Sequence, residues 1–113
     1  MRPVTPTDLL AAAQVLLQWP DDAWPEVAAA LLDEAARADR FRRRHGLAHP
    51  RLGNGTVTSA ALARGSAPAP AAGDRRFLSA LAAVIAAVLA RSEGLEGHGR
   101  QCAADTGNIE QRF

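Results

Sequence analysis

Apolar residues recur at helical spacing in three stretches of this chain, and no stretch alternates as a strand does. The first stretch opens on Thr5-Pro6-Thr7-Asp8. Thr5 suits an N-cap, Pro6 the first helical position, and Asp8 the positive end of the helix dipole. Leu9, Leu10, Ala13, Leu16 and Leu17 follow, and Pro20 ends the element. A second helix is predicted from a cap at Asp21 or Asp22, with Pro25 in its first turn. Its stripe is Trp24, Val27, Ala28, Leu31, Ala35 and Ala38, broadened by Leu32 and extended by Phe41, until Gly46 stops it. Such a helix of roughly 23 residues would be about 35 Å long, which suits a hairpin or an assembly arm. His49 to Gly55 is a turn-rich connection, and only Leu52–Val57 has any chance of pairing briefly. Thr56, Thr58 or Ser59 caps a short helix through Ala63, closed by Gly65. Residues 66–73 read as an extended linker stiffened by two prolines.

Asp74 caps the last helix, which the pattern carries to about Ser92. Phe77 or Leu78, Leu81, Val84, Ile85, Val88 and Leu89 form its main stripe, and the opposite side is Ser79, Ala82, Ala83, Ala86 and Ala87. No charge interrupts residues 77–90. A helix apolar all round is buried all round, and so short a chain has little with which to wrap it. The expectation is therefore helix–helix assembly, held by Leu31, Leu78, Leu81, Val84, Ile85, Val88 and Leu89. An alanine face left in water, at little cost, is the simpler alternative. After residue 92 periodicity fades among Gly94, Gly97, Gly99 and Gly107, which reads as a flexible tail. Residues 1–92 then form one helical oligomerisation domain and 93–113 the tail. Ile109 and Phe113 are its candidate docking residues, with fraying the plainer reading.

Composition sharpens this picture. Of 113 residues, 48% are hydrophobic, but alanine dominates them and aromatics are only 4%. A core of Ala, Leu and Val is thin, and small domains are marginal alone, so help from a second chain is reasonable. The net charge of +1 draws the chain to neither nucleic acid nor membrane as a whole. The single cysteine, Cys102, excludes an internal disulfide and fits a reducing cytoplasm. Residues 1–20 lack the basic head and apolar run of a signal peptide, and 77–90 is too short to span a bilayer.

The one concentrated charge feature is Arg40-Phe41-Arg42-Arg43-Arg44-His45. Arginines there could grip phosphates and Phe41 could stack on a base. Cations also belong at a helix C-terminus, and Asp33–Arg37 and Asp39–Arg43 are spaced for i, i+4 pairs. Pairing accounts best for Arg37 and Arg43, leaving Arg40, Arg42 and Arg44 in excess, with Arg51 beyond the turn. His45 and His49 have ligand spacing, but Gly46 and Pro50 break the helix and no third ligand is evident, so no metal is expected. Gly53-Asn54-Gly55-Thr56 lacks the lysine and glycine spacing of a phosphate loop. No nucleophile sits beside a base in a rigid segment, so neither catalysis nor a cofactor is expected.

Arg2-Pro3-Val4, Ala38-Asp39-Arg40-Phe41-Arg42-Arg43, Gly46 with His49-Pro50-Arg51-Leu52-Gly53-Asn54-Gly55, and the acid-started apolar helix from Asp74 occur in an order that resembles the small terminases of alphaproteobacterial gene transfer agents. The resemblance spans about residues 2–92 and rests on the order of features. It implies a phage-derived, ring-forming, non-catalytic DNA-packaging protein that presents DNA to the large terminase, an ATPase and nuclease, and regulates it. Many phage small terminases carry a separate N-terminal helix-turn-helix. Here no basic recognition helix follows the first helix, which puts sequence-specific reading in doubt. The expectation is an all-α helical hairpin with a short third helix and an apolar last helix, forming a homo-oligomer. It would contact double-stranded DNA weakly through Arg40, Arg42, Arg43, Arg44 and Arg51. The rival is a protein–protein interaction module that binds no nucleic acid.

Overall fold

A computed structural model of the chain describes residues 1–68 and 70–104, with side chains as far as Ser92. It contains helices α1 (Pro6–Leu16), α2 (Trp24–His45), α3 (Val57–Arg64) and α4 (Arg75–Ala104), with a 3-10 turn at Asp21–Ala23 ahead of α2. Among the described residues there is no β-strand, and the Leu52–Val57 region contributes only to one isolated bridge, His49 with Gly53. The all-α expectation holds.

The capping chemistry explains where the helices start. Thr5 and Asp8 close a capping box on α1: the Thr5 amide donates to Asp8 Oδ2 at 2.8 Å and the Asp8 amide to Thr5 Oγ1 at 3.3 Å. Thr56 is the residue that caps α3, accepting from the Ser59 amide at 3.1 Å. Asp74 accepts from the Phe77 amide at 2.9 Å at the head of α4. At α2 neither Asp21 nor Asp22 is the cap. The chain makes a 3-10 turn through them, and α2 starts at Trp24 with Pro25 in its first turn and no side-chain cap. Proline's fixed φ does the pre-organising there. Gly46, at φ 75°, terminates α2.

Carbonyls at and just beyond the C-terminus of α1 accept from other elements. The Trp24 indole donates to Leu16 O at 2.7 Å and Trp19 O at 3.1 Å. The Arg76 guanidinium donates to Leu17 O and Trp19 O and stacks over the Trp24 ring at 5.1 Å. This junction sets the start of α4 beside the end of α1 and the start of α2. Further along, Arg91 donates to Asp33 at 2.8 Å, so α4 runs beside α2 in the same direction and antiparallel to α1. The expected hairpin is therefore not the main pairing: α1 packs chiefly on α3 and α4, and α2 on α4 and α3. The linker is pinned to α1, with Gln14 bonded to Ala67 and Gln18 to Gly65 O.

The core combines Val15, Leu16, Trp24, Leu31, Leu32, Val57, Phe77 and Val84 with buried alanines from every helix. Those alanines let the helices approach closely, and they also keep the core thin. The predicted stripe of α4 is split. Phe77, Ala80 and Val84 are buried and Leu81 and Val88 partly so, whereas Leu78, Ile85 and Leu89 remain 47%, 40% and 55% exposed. Size does not choose the inward face, since Phe77 is buried while Ala82, Ala86 and Ala90 are exposed; packing against α1 and α2 chooses it. Leu31 and Val84, expected at an interface between chains, are 0% and 1% exposed and belong to this chain's own core. Helix α4 also continues past Ser92, where the pattern predicts its end, to Ala104. Ile109 and Phe113 lie outside the described residues.

Candidate nucleic-acid interface

The arginine run at the end of α2 separates into two sets, and one residue separates them. Asp39 is 1% exposed and faces the loop that returns from α2 to α3. It draws Arg43 at 2.5 Å, Arg42 at 3.7 Å and the Met1 amine at 3.6 Å. Burial alone would raise the Asp39 carboxyl, but Arg43, the amine and Arg42 together outweigh it and hold the group below the ordinary carboxylate range. Gly55 packs directly on this residue: a Cβ there would lie 2.8 Å from Asp39 Cα and Cβ. Arg42 and Arg43 are thus partly neutralised within the fold.

The other set is Arg37, Arg40 and Arg44, at i, i+3 and i+7 on one helical face. Among the described residues none of the three has a carboxylate within 4.0 Å. Arg37 is the residue that sequence reasoning misassigned. Its i−4 neighbour Asp33 pairs with Arg91 of α4 instead, and only the tertiary packing of α4 beside α2 reveals that. Arg51 follows the turn, is exposed, and likewise has no carboxylate partner among the described residues.

Between α2 and the turn lies an open cavity of about 790 Å³, lined by Arg37, Arg40, Phe41, Arg44, His45 and His49 among others. Phe41 sits 4.3 Å from the His45 ring, tilted at 45°, and 4.8 Å from the His49 ring, edge-on. His49 is held in place by its own turn. Its Nδ1 accepts the amides of Arg51 and Leu52, both at 3.0 Å, and its backbone pairs with Gly53 in both directions. An Nδ1 that accepts two amides leaves the ring proton of the neutral form on Nε2. The ligand spacing of His45 and His49 thus builds an aromatic cluster around Phe41. Among residues with described side chains, no three His, Cys, Asp or Glu groups converge as metal ligands would.

A second surface feature flanks α4. Leu78, Ile85 and Leu89, with exposed Ala82 between them, fall on a 4-3-4 spacing that forms one ridge. Beside it lies a groove of about 490 Å³, walled by Pro25, Ala29 and Leu32 of α2 and by alanines of α4, and bordered by the Asp33–Arg91 pair. No helix among the described residues is long and apolar enough to cross a membrane.

Residues 2–88 match the profile of a family described as a domain of unknown function, DUF7742. No curated protein and no solved structure matches the chain.

Proposed function

The chain belongs to the DUF7742 family, and we propose that it is a non-catalytic, self-associating adaptor that contacts the phosphates of double-stranded DNA. The role is that of a small-terminase-like packaging protein, which presents DNA to a large terminase motor and regulates it. One observation supports the DNA contact: Arg37, Arg40 and Arg44 share a helical face, and among the described residues none has a carboxylate within 4.0 Å, because the bordering Asp33 and Glu34 are taken by Arg91 and Arg64. Three cations about 10 Å from end to end along α2 fit a phosphate backbone. They read no bases, so the contact is weak and indifferent to sequence.

Self-association draws on α4. A ridge of Leu78, Ile85 and Leu89 next to an alanine-walled groove makes that face complementary to itself, and a second copy can set its ridge in the groove. The same surface supports the alternative, a protein–protein module that touches no nucleic acid.

A salt series with random-sequence duplex tests the reading. The expected result is a log–log slope of about −3 per bound subunit, with Arg40→Gln plus Arg44→Gln lowering it to about −1. Absence of any mobility shift at low salt, up to roughly 100 μM protein, removes the DNA contact and leaves the interaction module.

A further inference from the structure

Three guanidinium groups account for phosphate contact, but they leave the rings beside them without a purpose. In a duplex the bases offer only their edges in the grooves, so aromatic side chains next to the backbone have nothing to stack on. Here three rings line the same cavity as the arginines. Phe41 is half-buried between His45 and His49, and His45 is exposed at the outer end of the cluster. His49 is fixed by two amide bonds to its Nδ1, so that ring is in place before any ligand arrives. At about 790 Å³ the cavity falls within the range of small-ligand pockets, roughly 300–1,000 Å³, and is far too small for a double helix.

We infer that this cavity binds an unpaired nucleotide, with its phosphate on Arg40 and Arg44 and its base stacked against the His45–Phe41 rings. The inference rests on the nucleic-acid reading of α2 and narrows it. The helix face meets duplex phosphates, and the cavity takes a base that has left the stack, as at a frayed or cut end. Cationic grooves with aromatic platforms bind single strands in this way without sequence preference, because every base has a π face.

Fluorescence anisotropy separates the possibilities, using the full chain with a short labelled oligothymidylate, a labelled duplex of equal length, and ATP as competitor. The strand should bind more tightly than the duplex. Phe41→Leu and His45→Gln should each weaken strand binding about five- to tenfold and change duplex binding by less than about twofold. His45 is exposed, so its replacement leaves the core untouched even if Phe41→Leu disturbs the turn. Displacement of the strand by ATP assigns the pocket to a mononucleotide. Indifference to ATP at equal phosphate concentration assigns it to a strand. A strand that binds no better than duplex, or that binds both variants as it binds the unsubstituted chain, overturns this inference and leaves the duplex contact standing. Failure of strand and duplex alike overturns both.

Discussion

Asp8 is the residue on which most of the local order converges. Its Oδ2 closes the capping box on α1, while its Oδ1 accepts the Thr58 amide at 2.9 Å and the Thr58 hydroxyl. One buried carboxylate therefore serves the N-termini of α1 and α3, each the positive end of a helix dipole. Burial would raise its pKa, but the Thr58 and Thr5 donors hold it below the ordinary carboxylate range. Asp8→Ala should cost about 2 kcal/mol in urea unfolding, through two lost caps. Asp8 and Asp39 both titrate lower when folded than when unfolded. Their stabilising contribution is therefore complete above pH ~4 and is lost as pH falls through the folded values. Acid unfolding followed by circular dichroism should show a steep limb below about pH 4, and Asp8→Asn should flatten it.

Asp39→Asn has a two-sided expectation. Arg43 is mostly exposed and returns to water without great cost, so the loss is that of its hydrogen bond, about 1–2 kcal/mol. Two guanidinium groups are released at the same time, so duplex affinity should rise about two- to threefold and the salt slope steepen by about 1. Unchanged DNA affinity in this variant would show that Arg42 and Arg43 take no part. Gly55→Ala is expected to be worse for the fold than either aspartate change. At φ 100° an alanine is strained, and its methyl would press on the Asp39 backbone. A loss of more than about 2 kcal/mol in a denaturant titration is expected.

At the scale of elements, α4 carries the contrast between core and surface. Val84 and Ile85 are neighbours in sequence and have opposite fates: one is sealed in the core, the other 40% exposed. Val84→Ala should cost about 2 kcal/mol in monomer stability, and Ile85→Ala less than about 0.5 kcal/mol. A triple change of Leu78, Ile85 and Leu89 to Gln should leave helicity intact and shift the species seen by native mass spectrometry to monomer. A chain already monomeric at high concentration would remove the self-association reading. These elements also mark the limit of what the sequence discloses. The α3 cap narrows only to Thr56, Thr58 or Ser59, whereas caps at Thr5 and Asp74, the α2 stripe from Trp24 to Ala38 and the stop at Gly46 are local chemistry, and each is legible. The inward face of α4 is not, because an uncharged helix has no polar side to orient it. The partner of Asp33 is equally hidden: spacing offers Arg37, and only packing brings Arg91 from 58 residues away to take it. The fold-back of His49 onto Phe41 depends on two amides in a turn, which no periodicity announces.

Over the whole molecule, the helices are held by a small interior in which alanine is abundant and large side chains are few. Cross-element polar contacts compensate at the joints: Arg64 with Glu34, Arg91 with Asp33, and Arg76 with Asp21 and the Leu17 and Trp19 carbonyls. These pairs are part-exposed, so each adds little alone and weakens with salt. The cationic cavity lies at the far end of α2 from the Trp24–Arg76 junction, and the apolar ridge runs along α4 between them. The proposed polyanion contact and the proposed self-association therefore fall on separate surfaces, and variants of one should leave the other measurable.

The indole that closes the end of α1 has an optical consequence. Trp24 is shielded and hydrogen-bonded, and Trp19, the chain's other tryptophan, is 43% exposed a few residues away. Their emission differs in wavelength and in accessibility to a quencher such as iodide. Any event that lifts the start of α4 from this joint uncovers the Trp24 ring, which is 5% exposed when the joint is closed, whereas Trp19 is already 43% exposed. The chain thus reports the seating of its own helices without an added label.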